Sequence, residues 1–221
     1  MFIETVGKLK PKLVIMENVE GLLLGNAKAY VERIYQEFHN IGYRVNHWLL
    51  CSEKMGVPQK RHRVFFIAIR DDIDFDLYSL NMEFDYLPIV YGEIKEGELR
   101  PMEVGSIYYN VAVQAIDSDR GIADTRERLG ELRSAFQVYY IRNDEIMWTQ
   151  RTRADVIDID ELSYVSWDTI RNAQTFPRDF DFMGTAASTV GYICGMSVPP
   201  VMIKRIVTRL IESGLFKYKG L

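Results

Sequence analysis

Phe2, Ile3, Val6 and Leu9 recur at helical spacing until Pro11, which has no N–H to carry a helix further. Leu13-Val14-Ile15-Met16 follows as an unbroken apolar run ending on Glu17-Asn18, the pattern of a buried parallel strand with a polar tip at its carboxyl end. Tyr30, Val31, Ile34, Tyr35, Phe38 and Ile41 then trace one face of a second helix, with Asn26 placed to cap its start and Gly42 to end it at C′. Residues 43–51 read as a strand and Gly56-Val57-Pro58 as a turn. Val64-Phe65-Phe66-Ile67-Ala68-Ile69 reads as a second buried strand, entered from the basic run Lys60-Arg61-His62-Arg63. The order helix, strand, helix, strand, strand predicts an α/β fold, one end of a doubly wound sheet closed by a hairpin.

From residue 71 the pattern changes. Asp71 to Glu98 carries nine acids and one lysine at irregular spacing, and arginines gather afterwards at Arg126, Arg128, Arg133, Arg142, Arg151 and Arg153. Short β-like pieces such as residues 136–141 lie among them. Residues 71–160 therefore read as a second, smaller domain or large insertion, mostly β and loop, between 1–70 and 161–221. Order returns with a helix over Ser166 to Gln174 that ends at Phe176-Pro177, and a turn over Gly195 to Pro200. A last helix runs from Val201 to Ser213. Met202, Ile203, Ile206, Val207, Leu210 and Ile211 form its apolar stripe, Lys204, Arg205, Thr208 and Arg209 face water, and Gly214 ends it.

Composition narrows the classes. With 48% apolar and 26% charged residues the chain is not wholly disordered. It has no run of 18 apolar residues, so no membrane-spanning helix and no membrane partner are expected, and its N-terminus lacks the pattern of a signal peptide. Two cysteines, Cys51 and Cys194, are too few for a disulfide scaffold or a thiolate zinc site; both read as buried structural residues in a reducing cytoplasm. His39, His47 and His62 lack metal-ligand spacing, so no metal is expected. A net charge of −4 means that any nucleic-acid role must rest on local basic clusters.

Three places could carry chemistry. Glu17 ends a buried strand, where open α/β sheets place ligands, although a solvated strand end looks the same. Arg61 and Arg63, two apart at the mouth of a strand, would emerge on one side and suit phosphate or carbonyl oxygens, unless they are only a solvated basic entry. Gly195-Met196-Ser197-Val198-Pro199-Pro200 leads into the last helix, whose backbone N–H groups could receive a ligand; the Pro-Pro pair could equally be simple helix initiation.

Taken in order, these segments resemble the C-terminal part of a DNA (cytosine-5)-methyltransferase. Pro11-Lys12 with Glu17-Asn18-Val19 is similar to the family's Pro-Lys…Glu-Asn-Val motif, and Gly56 to Arg63 to its Gly-x-Pro-Gln-x-Arg-x-Arg motif, at the right spacing. Gln174-Thr175-Phe176-Pro177 with Asp179-Phe180-Asp181-Phe182, and Gly195 to Pro200, resemble the two closing motifs. The resemblance implies methyl transfer from S-adenosyl-L-methionine to C5 of a cytosine flipped out of double-stranded DNA. It implies that Glu17 contacts cytosine N3 with Asn18 shaping the turn, that Arg63 holds cytosine O2 or a phosphate, and that Arg61 supports the loop or the phosphates. It further implies cofactor contacts from Gly195, Met196, Ser197 and Val198, DNA contacts from Gln59, Arg61, Arg151 and Arg153, and a target recognition domain over residues 71–160.

The departures are as informative. The family's Phe-x-Gly-x-Gly-Gly cofactor loop and Pro-Cys-Gln nucleophile loop are absent, and neither Cys51 nor Cys194 follows a proline. Met196 stands where asparagine is usual, and Asp168-Thr169 where Arg-Glu is common. The expectation is a split subunit needing a complementary N-terminal methyltransferase chain, a natural fragment, or a late-starting gene product, inactive alone and with an exposed strand edge. The alternative is a non-catalytic DNA-binding or interaction remnant.

Overall fold

Lys10, in the left-handed conformation at φ 47°, closes the first helix, α1 (Phe2–Leu9), by donating its N–H to Val6 O, and Pro11 follows at once. This computed structural model describes residues 1–131, 138–152, 155–182 and 187–215. They divide into two units: Met1–Cys51, His62–Asp85 and the chain from Ile203 form the first, and Ser52–Arg61 with Tyr86–Met202 the second.

In the first unit α1 is followed by β1 (Leu13–Val19), α2 (Lys28–Asn40) and β2 (Tyr43–Cys51). The chain passes through β3 (Gln59–Lys60), in the second unit, and returns as β4 (His62–Arg70). The sheet order is β1-β4-β2, and both pairings are antiparallel. Val64, Phe66 and Ala68 on one face of β4 pack with Ile3, Val6, Val14, Phe38, Tyr43 and Val45, so α1 and α2 cover that face. Phe65, Ile67 and Ile69 on the other face are also fully buried. Burial on both faces is why β4 is apolar without alternation.

Parallel neighbours were expected for β1. Its one pairing among the described residues is antiparallel, because β4 returns from β2 and inserts between β1 and β2, which run the same way. Asn26 does not cap α2. The chain enters from a 3₁₀ turn over Gly25–Ala27, and Ala27 is the cap residue. Tyr30 is solvent-exposed rather than part of the buried stripe. Gly42 does end the helix, at φ 84°.

The acidic stretch is divided between the units at Asp85/Tyr86. Its first part anchors the return from β4. Arg70 grips Asp72 through two hydrogen bonds of 2.6 and 2.9 Å, and Asp76 accepts from Tyr78 N and Ser79 N at a short 3₁₀ turn.

The second unit holds α3 (Tyr91–Ile94), β5 (Arg100–Pro101), α4 (Ile107–Ala112), α5 (Ile122–Arg128), β6 (Tyr139–Ile141), β7 (Met147–Trp148), β8 (Val156–Asp158), β9 (Ser163–Tyr164), α6 (Trp167–Ala173) and α7 (Ala187–Met196). The chain then enters α8 (Pro200–Glu212). Strands β5-β9-β8-β6 form one small sheet, and β3 pairs in parallel with β7. The strands are two or three residues long, and three helices lie among them, where sequence patterning predicts mostly β and loop. Of the predicted piece 136–141, β6 is the described part; Phe136 and Gln137 lie outside the described residues. Ser106 and Ser166 cap α4 and α6 by accepting from Tyr109 N and Thr169 N.

Asp119 is buried in this unit. The Arg128 guanidinium beside it, with Ile116 N and Thr125 Oγ1, holds its carboxyl below the ordinary carboxylate range against the cost of burial. A depressed carboxyl stabilises the fold above its unfolded pKa of about 3.9 and loses that contribution as pH falls through the lowered folded value. Asp119→Asn is therefore expected to destabilise the unit at pH 7 and to converge on the parent as pH falls below the ordinary carboxylate range. Unfolding midpoints at neutral and acid pH check this; a deficit independent of pH contradicts it.

Candidate active site

Glu17 and Arg63 meet across the β1–β4 ladder. The register pairs Glu17 with Phe65 and Val19 with Arg63, so Glu17 and Arg63 are diagonal neighbours on one sheet face. Arg63 Nε lies 2.9 Å from Glu17 Oε1, with the side chains 16% and 29% exposed respectively. Arg63 Nη1 also donates to His62 O at 2.7 Å. No other side chain among the described residues hydrogen-bonds either group. A carboxylate oxygen and one guanidinium edge therefore remain for a ligand. Asn18 lies within β1, and its Oδ1 accepts from Val19 N at 2.8 Å, so its amide is turned onto the backbone.

Arg61 does not share this face. It precedes β4 and belongs to the second unit, so the two-residue spacing does not place both guanidiniums on one strand. Arg61 is 2% exposed; Nη1 donates to Gln150 O and Nη2 to Gly195 O, both at 3.1 Å. Its backbone N–H donates to Ser52 Oγ, which in turn donates to Gln59 O. Gln59 is fully buried. Its Nε2 donates to Ala173 O (3.2 Å) and Gln174 Oε1 (2.8 Å), and its Oε1 accepts from Gln150 N (3.0 Å). Gln174 Nε2 continues the chain to Ser197 O at 2.7 Å. Three of the segments singled out in the sequence are thus tied by side-chain amides, a role that sequence reading missed for Gln174, Gln150 and Ser52.

The segment read as a turn from Gly195 begins later. Gly195 and Met196 are the last residues of α7, and the turn is Ser197–Pro199. Thr175, at φ 62°, places its Oγ1 to accept from Val201 N and so caps α8. The Ser197 hydroxyl and N–H both go to Ile193 O. The Ser197 hydroxyl gives its proton to Ile193 O, so toward a cofactor its oxygen can only accept, and the N–H and C=O groups that residues 195–198 offer are backbone. Phe176, Phe180 and Phe182 pack on one another at 4.7–5.5 Å between ring centres. The stretch Thr189–Glu212 is long and apolar enough to cross a membrane by composition, but it is two helices, and Met202, Ile206 and Leu210 are fully buried.

A Cβ added at Gly195 would sit 2.6 Å from both Arg151 C and Thr152 N, backbone that cannot swing aside. Gly195→Ala is expected to destabilise the second unit by about 1–3 kcal/mol, measured by denaturant unfolding; an unchanged midpoint contradicts this packing. Arg151 is exposed and lies over the Tyr139 ring. Arg153 lies outside the described residues. Cys194 is buried, as its apolar context suggested, and burial pushes its thiol up to about 11. Cys51, at the end of β2, is half-buried.

Comparison with known proteins is consistent across sequence and fold. Residues 1–171 match the family described as C-5 cytosine-specific DNA methylase. The chain is 32% identical over 133 residues to the type II methyltransferase M.NgoFVII of Neisseria gonorrhoeae, a match covering 59% of this chain and 34% of that protein. It is 45% identical over 64 residues to the orphan methyltransferase M.SPBetaI of Bacillus phage SPbeta, covering 29% and 14%. The chain thus spans about a third or less of these relatives' length. In fold it is similar to a Spodoptera frugiperda DNMT2 structure (TM-score 0.62, 13% identity, 96% of this chain and 71% of that one). The Entamoeba histolytica methyltransferase EhMeth is comparable (TM-score 0.62, 12% identity, 91% and 63%).

Proposed function

Because the chain belongs to the C-5 cytosine-specific DNA methylase family, we propose that it supplies the Glu17–Arg63 part of a site that methylates C5 of a cytosine flipped out of double-stranded DNA. The observation that carries this reading is the carboxylate–guanidinium pair, held at 2.9 Å on one sheet face by β1, which carries the Glu-Asn-Val motif, and β4, which begins at the last two residues of the Gly56–Arg63 motif.

Cytosine presents N3 and O2 side by side. Adding a nucleophile at C6 pushes electron density onto those atoms and makes C5 nucleophilic. The Glu17 carboxyl shares a proton with N3, and the Arg63 guanidinium donates to O2, so both stabilise charge that develops only during addition. Their mutual contact sets the direction of each. S-adenosylmethionine, when bound, supplies the methyl group. The backbone of residues 195–198 would meet it, and the rest of its pocket is expected outside these 221 residues.

Gln59 and Arg61 act as positioning residues: they fix the segment entering β4 against Gln150, Gln174 and the end of α7. Arg151 and Arg153 would face DNA, and residues 71–160 would read its sequence. The nucleophile is expected on polypeptide outside this chain. No cysteine here lies in Pro-Cys-Gln, and the raised Cys194 thiol stays protonated at neutral pH.

The same absence favours a second reading, a DNA-binding protein without transfer chemistry. Mixing the chain with a polypeptide that carries Phe-x-Gly-x-Gly-Gly and Pro-Cys-Gln separates the two. Methyl transfer that appears only in the mixture is the expected result. DNA binding without transfer in every pairing would overturn the catalytic reading in favour of the second.

A further inference from the structure

Cys51 and His62 are directly opposite each other at the end of the β2–β4 pair, so their side chains leave the sheet on one face. Cys51 Sγ lies within 4.8 Å of a His62 ring nitrogen. His62 Nδ1 is in turn 3.5 Å from Oε2 of Glu20, which opens the 3₁₀ turn after β1. All three residues belong to the first unit. Cys51 is half-buried, and the His62 and Glu20 side chains are 39% and 44% exposed, so a dissolved reagent can reach the group. Arg63, next along β4, points to the opposite face, where it meets Glu17. The thiol is therefore not aimed at the Glu17–Arg63 pair, and the proposed cytosine chemistry makes no use of it.

A thiol attacks as its thiolate, and an imidazole beside it can take the proton. A carboxylate next to Nδ1 fixes the ring and favours the imidazolium that this transfer creates. Thiol, imidazole and carboxylate thus follow one another in the order of an activated nucleophile. The other cysteine is the internal contrast. Cys194 is fully buried, and burial pushes its thiol up to about 11, so it is closed to reagents and protonated at neutral pH.

We propose that Cys51 is a modification site for low-molecular-weight disulfides, with His62 as its base and Glu20 as the residue that positions His62. Cys51 Sγ passes its proton to His62 and attacks one sulfur of the disulfide. A new S–S bond forms as the old one breaks. The departing thiolate, now reduced, takes the proton back from the imidazolium, and Cys51 is left oxidised as a mixed disulfide. The inference is independent of the DNA reading above.

The test is uptake of oxidised glutathione by the full chain at neutral pH, followed residue by residue by mass spectrometry of its peptides, with the urea-unfolded chain as reference. Cys51 is expected to react about 10-fold faster folded than unfolded, because a thiolate next to an imidazole more than offsets partial burial. Cys194 should react only once the chain unfolds. His62→Ala is expected to slow Cys51 about 10-fold, and added imidazole to restore part of the rate, which a purely structural role would not allow. Glu20→Gln should slow it about 3-fold and Glu20→Asp, which keeps the charge, by less. Unfolding midpoints verify that each variant is folded. Cys51 reacting more slowly folded than unfolded, or at the parent rate in His62→Ala, overturns the site. A parent rate in Glu20→Gln overturns the role given to Glu20. None of these outcomes bears on the DNA reading, whose own test is the mixture.

Discussion

Glu17→Gln is expected to lower the rate of methyl transfer by about 10²–10³-fold in the mixture with the nucleophile-bearing polypeptide. The amide keeps the size of the carboxyl and can still accept a hydrogen bond from Arg63, so the β1–β4 ladder should survive. It cannot share a proton with cytosine N3, and it no longer holds Arg63 by charge at the present 2.9 Å. Both losses fall on the transition state more than on the bound substrate, so single-turnover rate should drop while DNA affinity changes by less than about threefold. A pair that merely braced the sheet would behave differently: stability would fall and the saturated rate would not. Transfer within threefold of the parent would remove Glu17 from the chemistry.

Asp158→Ala is expected to destabilise the second unit by about 3–5 kcal/mol. The Asp158 carboxylate is 1% exposed and takes three donors: the Tyr91 hydroxyl and Lys95 Nζ at 2.8 Å, and Glu161 N at 3.1 Å. Burial and this neighbouring carboxylate push the Tyr91 hydroxyl far above its ordinary range, so it stays a donor at any practical pH. Truncation leaves that hydroxyl buried without its acceptor and removes the nearer of the two carboxylates at the Lys95 ammonium, leaving Glu161 at 3.6 Å. Asp158→Asn keeps an acceptor for Tyr91 and should lose less than half as much. Urea unfolding followed by fluorescence can report on this unit through Trp148 and Trp167. A loss below 1 kcal/mol in the alanine variant would mean that the cluster is not what holds β8 against α3.

How much of this was legible follows from which signals are local. The helix ended by Pro11, the one ended by Gly42 and the one capped by Ser166 announce themselves through periodicity and end chemistry, and the structure has all three. α7 was missed because its apolar residues make no one-sided stripe. Its packing face is made by Gly191 and Gly195, four apart, where a Cβ would meet the Trp167 ring and the Arg151–Thr152 backbone. Leu13–Met16 showed the strand but neither its depth nor its direction: only Val14 of β1 is buried, and an apolar run reads the same in parallel and antiparallel sheets. Glu17 and Arg63 were each visible as motif members. That they meet depends on a strand register that no local pattern encodes. Arg61 looked like the twin of Arg63 because alternation applies within a strand, and β4 starts one residue after it.

The most direct measurement is the identity of the methylated nucleoside. Duplex DNA is incubated with methyl-labelled S-adenosylmethionine and this chain, the nucleophile-bearing polypeptide, or both, then digested to nucleosides and separated. The expected result is label in 5-methylcytosine only when both polypeptides are present, and its near-complete loss with Glu17→Gln. Label in any other nucleoside, or equal labelling without this chain, would contradict the assignment of Glu17 and Arg63 to a cytosine-C5 site.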